Sequence, residues 1–259
     1  MKARIMTAEG ETHRGSPLAG ENDEPLFVSY PKSGRTWIRY FLNLRGVPLE
    51  FTHAGTGSGR KEFGRHIKQF DTSGARRHRM IFMHRNPIDT AISLYFQIHR
   101  KDFQFGSRKY LKRWLVYSLQ GRLPPRKLVD FLDHPGFGVE KTSRFNAAWI
   151  AELRSHPDSL VFSYEEARRN EEETFERLLN FLRADKANLS RTIEESSFRR
   201  MQQQEKVGAP KSLRLQVAIP GDPDSAKVRR GKVRGYMDYL TPAQVDKYRA
   251  IAAEYGFDA

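Results

Sequence analysis

With 45 lysines and arginines against 31 aspartates and glutamates, this 259-residue chain carries a formal charge of +14. That balance suits an anionic partner (a nucleotide, nucleic acid, acidic glycan or membrane surface) without choosing among them. Cysteine is absent, which excludes disulfides, thiol nucleophiles and cysteine-ligated zinc, and no H-E-x-x-H pair argues for a metal, so none is expected.

No segment approaches the ~18 apolar residues of a membrane span, and the first residues lack the apolar run of a signal peptide, so a cytoplasmic protein is expected. The length fits one α/β domain. Residues Met1 to Glu24 are polar and aperiodic, which predicts a mobile tail over 1–24 ahead of a single domain over 25–259.

Leu26-Phe27-Val28 is a short apolar run suited to one buried strand, and Pro31 ends it because proline cannot donate to a sheet ladder. Ser33 and Gly34 form a loop, after which Trp37, Ile38, Phe41 and Leu42 recur at helical spacing. The helix ends near Gly46-Val47-Pro48, and Leu49 to His53 reads as a second short strand. Gly55 to Gly59 is a flexible loop.

Met80-Ile81-Phe82-Met83 is a third buried strand. It runs through His84-Arg85-Asn86 into a helix opened by Pro87, a residue suited to a first turn. Phe103 to Glu152 reads as several helices broken at Pro124-Pro125 and His134-Pro135-Gly136. Leu160 to Ser163 is a fourth strand, and Phe175, Leu178, Leu179 and Leu182 mark an amphipathic helix behind it. A polar, basic segment follows from Arg199 to Lys232, and Thr241-Pro242 caps a last helix. Strands alternating with helices predict an α/β fold: a mainly parallel sheet with helices on both faces.

Strand, tight loop and helix aim backbone N–H groups and a positive helix end at one point, and Lys32 makes that point an anion site. It contains no G-x-x-x-x-G-K-[ST], which disfavours a Walker-type kinase or NTPase. Arg85 and Ser93, eight residues apart, pair a guanidinium fork with a hydroxyl near a helix start, although an exposed arginine and an ordinary helix serine would look the same. The cations around Gly231 could serve nucleotide or nucleic acid. Of eight histidines, His53 stands at the sheet end where Lys32 and Arg85 emerge and is the candidate base, with His66 and His84 as rivals.

Tyr30-Pro31-Lys32-Ser33-Gly34-Arg35-Thr36-Trp37 resembles the Tyr-Pro-Lys-Ser-Gly-Thr-Thr-Trp loop of the sulfotransferases that use 3′-phosphoadenosine 5′-phosphosulfate (PAPS), with Arg35 at a usual threonine. The stretch from Arg85-Asn86-Pro87 to Ser93 resembles that family's 3′-phosphate motif. Arg229-Arg230-Gly231 is similar to its Arg-Lys-Gly segment, and Phe51-Thr52-His53 to its Lys-Thr-His. Tyr164, and Ser196 with Phe198, match positions that meet the adenine.

The resemblance implies a P-loop-like phosphosulfate loop of Lys32, Ser33, Gly34, Arg35, Thr36 and Trp37, a 3′-phosphate site of Arg85 and Ser93, and closure by Arg229, Arg230 and Gly231. It further implies Lys32 and His53 as catalytic residues, PAPS as co-substrate with 3′-phosphoadenosine 5′-phosphate (PAP) as product, and no metal. The acceptor would be a hydroxyl or amine of a small molecule, glycan or lipid. Nucleic acid is disfavoured as a partner, because a nucleic-acid-binding protein would leave the adenosine-type motifs unexplained. A nucleotide- or nucleic-acid-binding protein without sulfotransfer activity and a nucleotide kinase are the alternatives.

Overall fold

The computed structural model describes residues 24–53, 63–73, 79–102, 115–207 and 231–258. The expected tail up to residue 23, the Gly55–Gly59 loop, residues 103–114 and most of the basic segment, 208–230, lie outside the described residues. Among these, four strands form one sheet: β1 (Leu26–Ser29), β2 (Glu50–Thr52), β3 (Met80–His84) and β4 (Ser159–Ser163). Their order is β2-β1-β3-β4 and every pairing is parallel, with Phe27 opposite both Phe51 and Ile81, and Phe82 opposite Val161.

The continuous apolar runs of β1 and β3 follow from burial on both faces. Leu26, Val28, Met80 and Phe82 point into one core and Phe27, Ile81 and Met83 into the other. Helices α2 (Pro87–Gln97) and α4 (Val139–Arg154) cover the first face, joined by α9 (Pro242–Ala253). Helices α1 (Arg35–Leu44) and α6 (Glu171–Phe181) cover the second. The expected α/β architecture, a parallel sheet with helices on both faces, is therefore present.

Local chemistry sets the helix starts. Asn86 caps α2, its Oδ1 accepting from the amides of Ile88 at 3.0 Å and Asp89 at 3.1 Å, with Pro87 in the first turn. Thr241 and Gln244 form a reciprocal capping box at α9. Between α2 and α4, α3 (Leu128–Asp133) stops at His134-Pro135-Gly136, as the breaker signals predict. Helix α2 continues into a π-helical turn, Ile98–Asp102.

From β1 the chain moves to β2 on one side, then crosses to β3 on the other. Loops leaving the carboxyl ends of β1 and β3 therefore diverge and open a crevice, the usual ligand position in open parallel sheets.

Candidate active site

The β1 loop is built by its backbone. Lys32 and Gly34 both take the left-handed conformation, with φ of 75° and 106°, and the Ser33 amide donates to the Tyr30 carbonyl at 3.3 Å. Gly34 must be glycine for a second reason: a β-carbon there would stand 2.7 Å from the Tyr164 ring and 2.9 Å from the Met83 methyl. Helix α1 begins at the next residue with no side-chain cap and no acid in its first turn. Its positive end therefore opens onto the crevice beside Lys32.

Arg85 emerges from β3 next to this loop. Its guanidinium lies 4.5 Å from the centre of the Tyr164 ring. Nη1 donates to the Lys32 carbonyl at 3.4 Å and Nη2 to the Lys232 carbonyl at 3.2 Å. Asp89, one turn into α2, brings Oδ2 to 3.7 Å from Nη2. Groups from four separate regions thus hold one fork in place. Ser93 follows on α2, buried but bordering the same space.

Tyr164 opens α5 (Tyr164–Arg169) directly after β4, and its hydroxyl donates to the Gly231 carbonyl at 3.1 Å. Burial raises the Tyr164 phenol above its ordinary pKa, so the hydroxyl stays a donor. Glu165 accepts from the Asn86 amide at 3.1 Å, and burial pushes its carboxyl pKa up. Trp37 sits edge-on to Tyr164 and Phe175, with the Arg168 guanidinium 5.5 Å from its ring. Phe198 opens α8 (Phe198–Lys206), and Gly231, at φ 62°, passes so close that a β-carbon would lie 2.4 Å from the Phe198 ring.

His53 follows β2. Its Nδ1 is 2.7 Å from the carbonyl of Ser29, the last residue of β1. A carbonyl only accepts, so the proton is on Nδ1 and the lone pair of the neutral ring is on Nε2. His66 is exposed, with Nε2 3.2 Å from Arg144 Nη1. His84 packs between Phe82 and Phe257, and burial pushes its pKa down from 6.5 to about 4. Neither His66 nor His84 borders the crevice.

The half-buried His84 has a consequence for stability. Between about pH 6.5 and 4 the unfolded chain takes up a proton that the folded ring refuses, so acidification favours unfolding. The full window amounts to a loss on the order of 3 kcal/mol. Urea unfolding at pH 7 and pH 4.5 should show this decline, and His84→Phe, which keeps a ring and loses the titration, should flatten it. A wild-type stability independent of pH over that range would contradict the burial argument.

The four strand-end loops meet in one cleft of about 220 Å³. Lys32, Gly34, Arg35, Thr36, Trp37, His53, Arg85, Ser93, Tyr164, Phe198 and Gly231 all border it. Ser33 is fully buried, and Ser196, which ends α7 (Leu189–Glu195), turns inward, its Oγ donating to the Ile193 carbonyl at 3.1 Å. Arg229 and Arg230 lie outside the described residues. The cleft also takes in Lys232 and Gly235 from the basic stretch around Gly231, and Asp89, Arg168 and Tyr239, to which the motifs assigned no role. The signal for two of them was spacing: Asp89 and Arg168 each follow a motif residue, Arg85 and Tyr164, by one helical turn.

The profile of the sulfotransferase domain family matches residues 68–255, which include Arg85, Ser93, Tyr164 and Gly231 and begin after the Lys32 loop. No curated protein matches the chain. A mouse sulfotransferase complexed with PAP is 19% identical with a TM-score of 0.55, the match covering 92% of this chain and 84% of that one. Retinol dehydratase, solved with androsterone and the inactive cofactor PAP, is 14% identical with a TM-score of 0.52, over 92% of this chain and 81% of that one. At such identities the structures show a shared fold, and the family match spans well over half the sequence. The chain belongs to the sulfotransferase domain family.

Proposed function

We propose that the cleft binds PAPS and moves its sulfuryl group to a hydroxyl or amine of a small-molecule acceptor, residues 25–259 acting as a single domain. The convergence of Lys32, His53, Arg85 and Tyr164 from the ends of four parallel strands is the observation that carries this reading. The residues present fit the nucleotide, with cations for both phosphate ends and aromatic rings for the adenosine. A mouse sulfotransferase and a retinol dehydratase that share the fold were both solved with PAP, the nucleotide that such a reaction leaves.

In this scheme the open α1 terminus and Lys32 hold the 5′-phosphosulfate, while Arg85 and Ser93 read the 3′-phosphate. Trp37, Tyr164 and Phe198 border the adenosine, and Gly231 closes over the nucleotide. PAPS supplies an activated sulfuryl group. His53, held by Ser29 with its lone pair on Nε2, takes the acceptor proton as the acceptor oxygen or nitrogen bonds to sulfur. The bond from sulfur to the phosphate oxygen breaks in line with that attack, and Lys32 meets the charge that develops on the departing oxygen.

Calorimetry and thermal melting with PAP and AMP test the binding half, and radiolabelled PAPS with a panel of hydroxylated and amine compounds tests the transfer. PAP at ~100 times its dissociation constant should add about 2.7 kcal/mol of stability, read as a raised Tm. Arg85→Ala should weaken PAP by roughly 10- to 150-fold, the worth of hydrogen bonds to a charged group, and weaken AMP far less. No Tm shift at millimolar PAP would overturn the assignment. Equal losses for PAP and AMP would reassign Arg85 to the fold, through its contacts with the Lys32 and Lys232 carbonyls.

A further inference from the structure

The geometry points to Asp89 as a positioning residue for recognition of the 3′-phosphate, an inference that rests on the proposed role of Arg85. Asp89 Oδ1 accepts from the backbone amide of Tyr236 at 2.9 Å, a bond between residues 147 apart in sequence. Its other oxygen lies 3.7 Å from Arg85 Nη2. The carboxylate is only 4% exposed, so solvent does little to weaken either interaction.

The segment that Asp89 grips is the one that closes the cleft after β4. Three contacts tie Gly231 to Tyr236 down: Tyr164 Oη to the Gly231 carbonyl, Arg85 Nη2 to the Lys232 carbonyl, and Asp89 to the Tyr236 amide. A β-carbon on Gly235 would stand 3.6 Å from Asp89 Oδ1, so the backbone passes directly over the carboxylate. Tyr236 itself is fully buried and anchors the segment in the core. Burial of one ring leaves rotation about it open, whereas a fixed amide sets the direction in which Gly231 and Lys232 leave.

Asp89 therefore acts through Arg85 and through this segment, setting both against the same ligand group. A first-turn acid on α2 could also serve that helix alone, through its dipole. The two roles separate by ligand. Helix stabilisation would affect PAP and AMP alike, whereas positioning affects only the ligand carrying the 3′-phosphate.

The test measures dissociation constants of PAP and AMP by calorimetry for the wild type, Asp89→Ala and Asp89→Asn. Asp89→Ala should weaken PAP about 10-fold and AMP less than about 2-fold. Asp89→Asn should recover part of the PAP affinity, because its amide oxygen can still accept from Tyr236 while the charge facing Arg85 is lost. Hydrogen exchange of the wild-type peptide spanning Tyr236 needs no variant, and PAP should slow it about 10-fold while AMP hardly changes it. Equal losses for the two ligands, no rescue by asparagine, or equal slowing by PAP and AMP would each overturn the inference. A wild type that binds PAP no better than AMP would instead remove the proposed role of Arg85, which is a separate result.

Discussion

Replacing His53 by alanine should lower kcat by about 10²–10⁴-fold, the usual worth of a positioned general base, while the affinity for PAP stays within about 2-fold, since the imidazole faces the acceptor in the proposed scheme. The expectation comes from the ring's tether. Nδ1 donates to the Ser29 carbonyl at 2.7 Å, which fixes both the tautomer and the ring at the end of the strand that leads to Lys32. The wild-type rate should fall on acidification, because a protonated imidazole has no lone pair to offer. That acid limb should vanish in His53→Ala, whose residual rate has no base to lose. Near-normal turnover in the variant would end the role, since neither His66 nor His84 borders the cleft. Loss of PAP binding would make His53 a structural residue joining β2 to β1.

The second large effect belongs to Lys32. Its backbone is left-handed at φ 75°, so alanine would confuse charge removal with strain. Asparagine tolerates that conformation and carries no charge, and it is the cleaner substitution. Lys32→Asn should lower kcat by about 10²–10³-fold, comparable to removing one preorganised donor from a site where charge develops. The loss should appear mainly in kcat, with a smaller rise in KM for the hold on bound PAPS, as expected for an interaction that strengthens in the transition state. If KM rises and kcat holds, Lys32 merely binds the nucleotide and the proposed electrostatic role is wrong.

Much of this architecture was written locally. Two cores on opposite faces of one sheet follow from the alternation within Leu26 to Val28 and Met80 to Met83, each side chain pointing away from the next. Asn86-Pro87 and Thr241-Pro242 marked helix starts because a cap acts on amides only two or three residues away. The Lys32 loop was legible for the same reason, since strand, turn and helix occupy neighbouring residues.

What only the tertiary structure decided is which distant groups meet. Sequence kept three histidines as candidate bases; the cleft borders His53 and leaves His66 against Arg144 and His84 among aromatic rings. Ser196 looked equivalent to Phe198 in its motif, yet its hydroxyl turns back to Ile193 while the Phe198 ring packs on Gly231. The glycine at 34 is enforced by Tyr164 and Met83, and Asp89 finds its partner at Tyr236. Periodicity and capping act over one or two turns of chain. The strand order β2-β1-β3-β4, which brings the four carboxyl-end loops to one cleft, is chosen by burial of the whole sheet between two helical layers, and no short stretch of residues contains that choice.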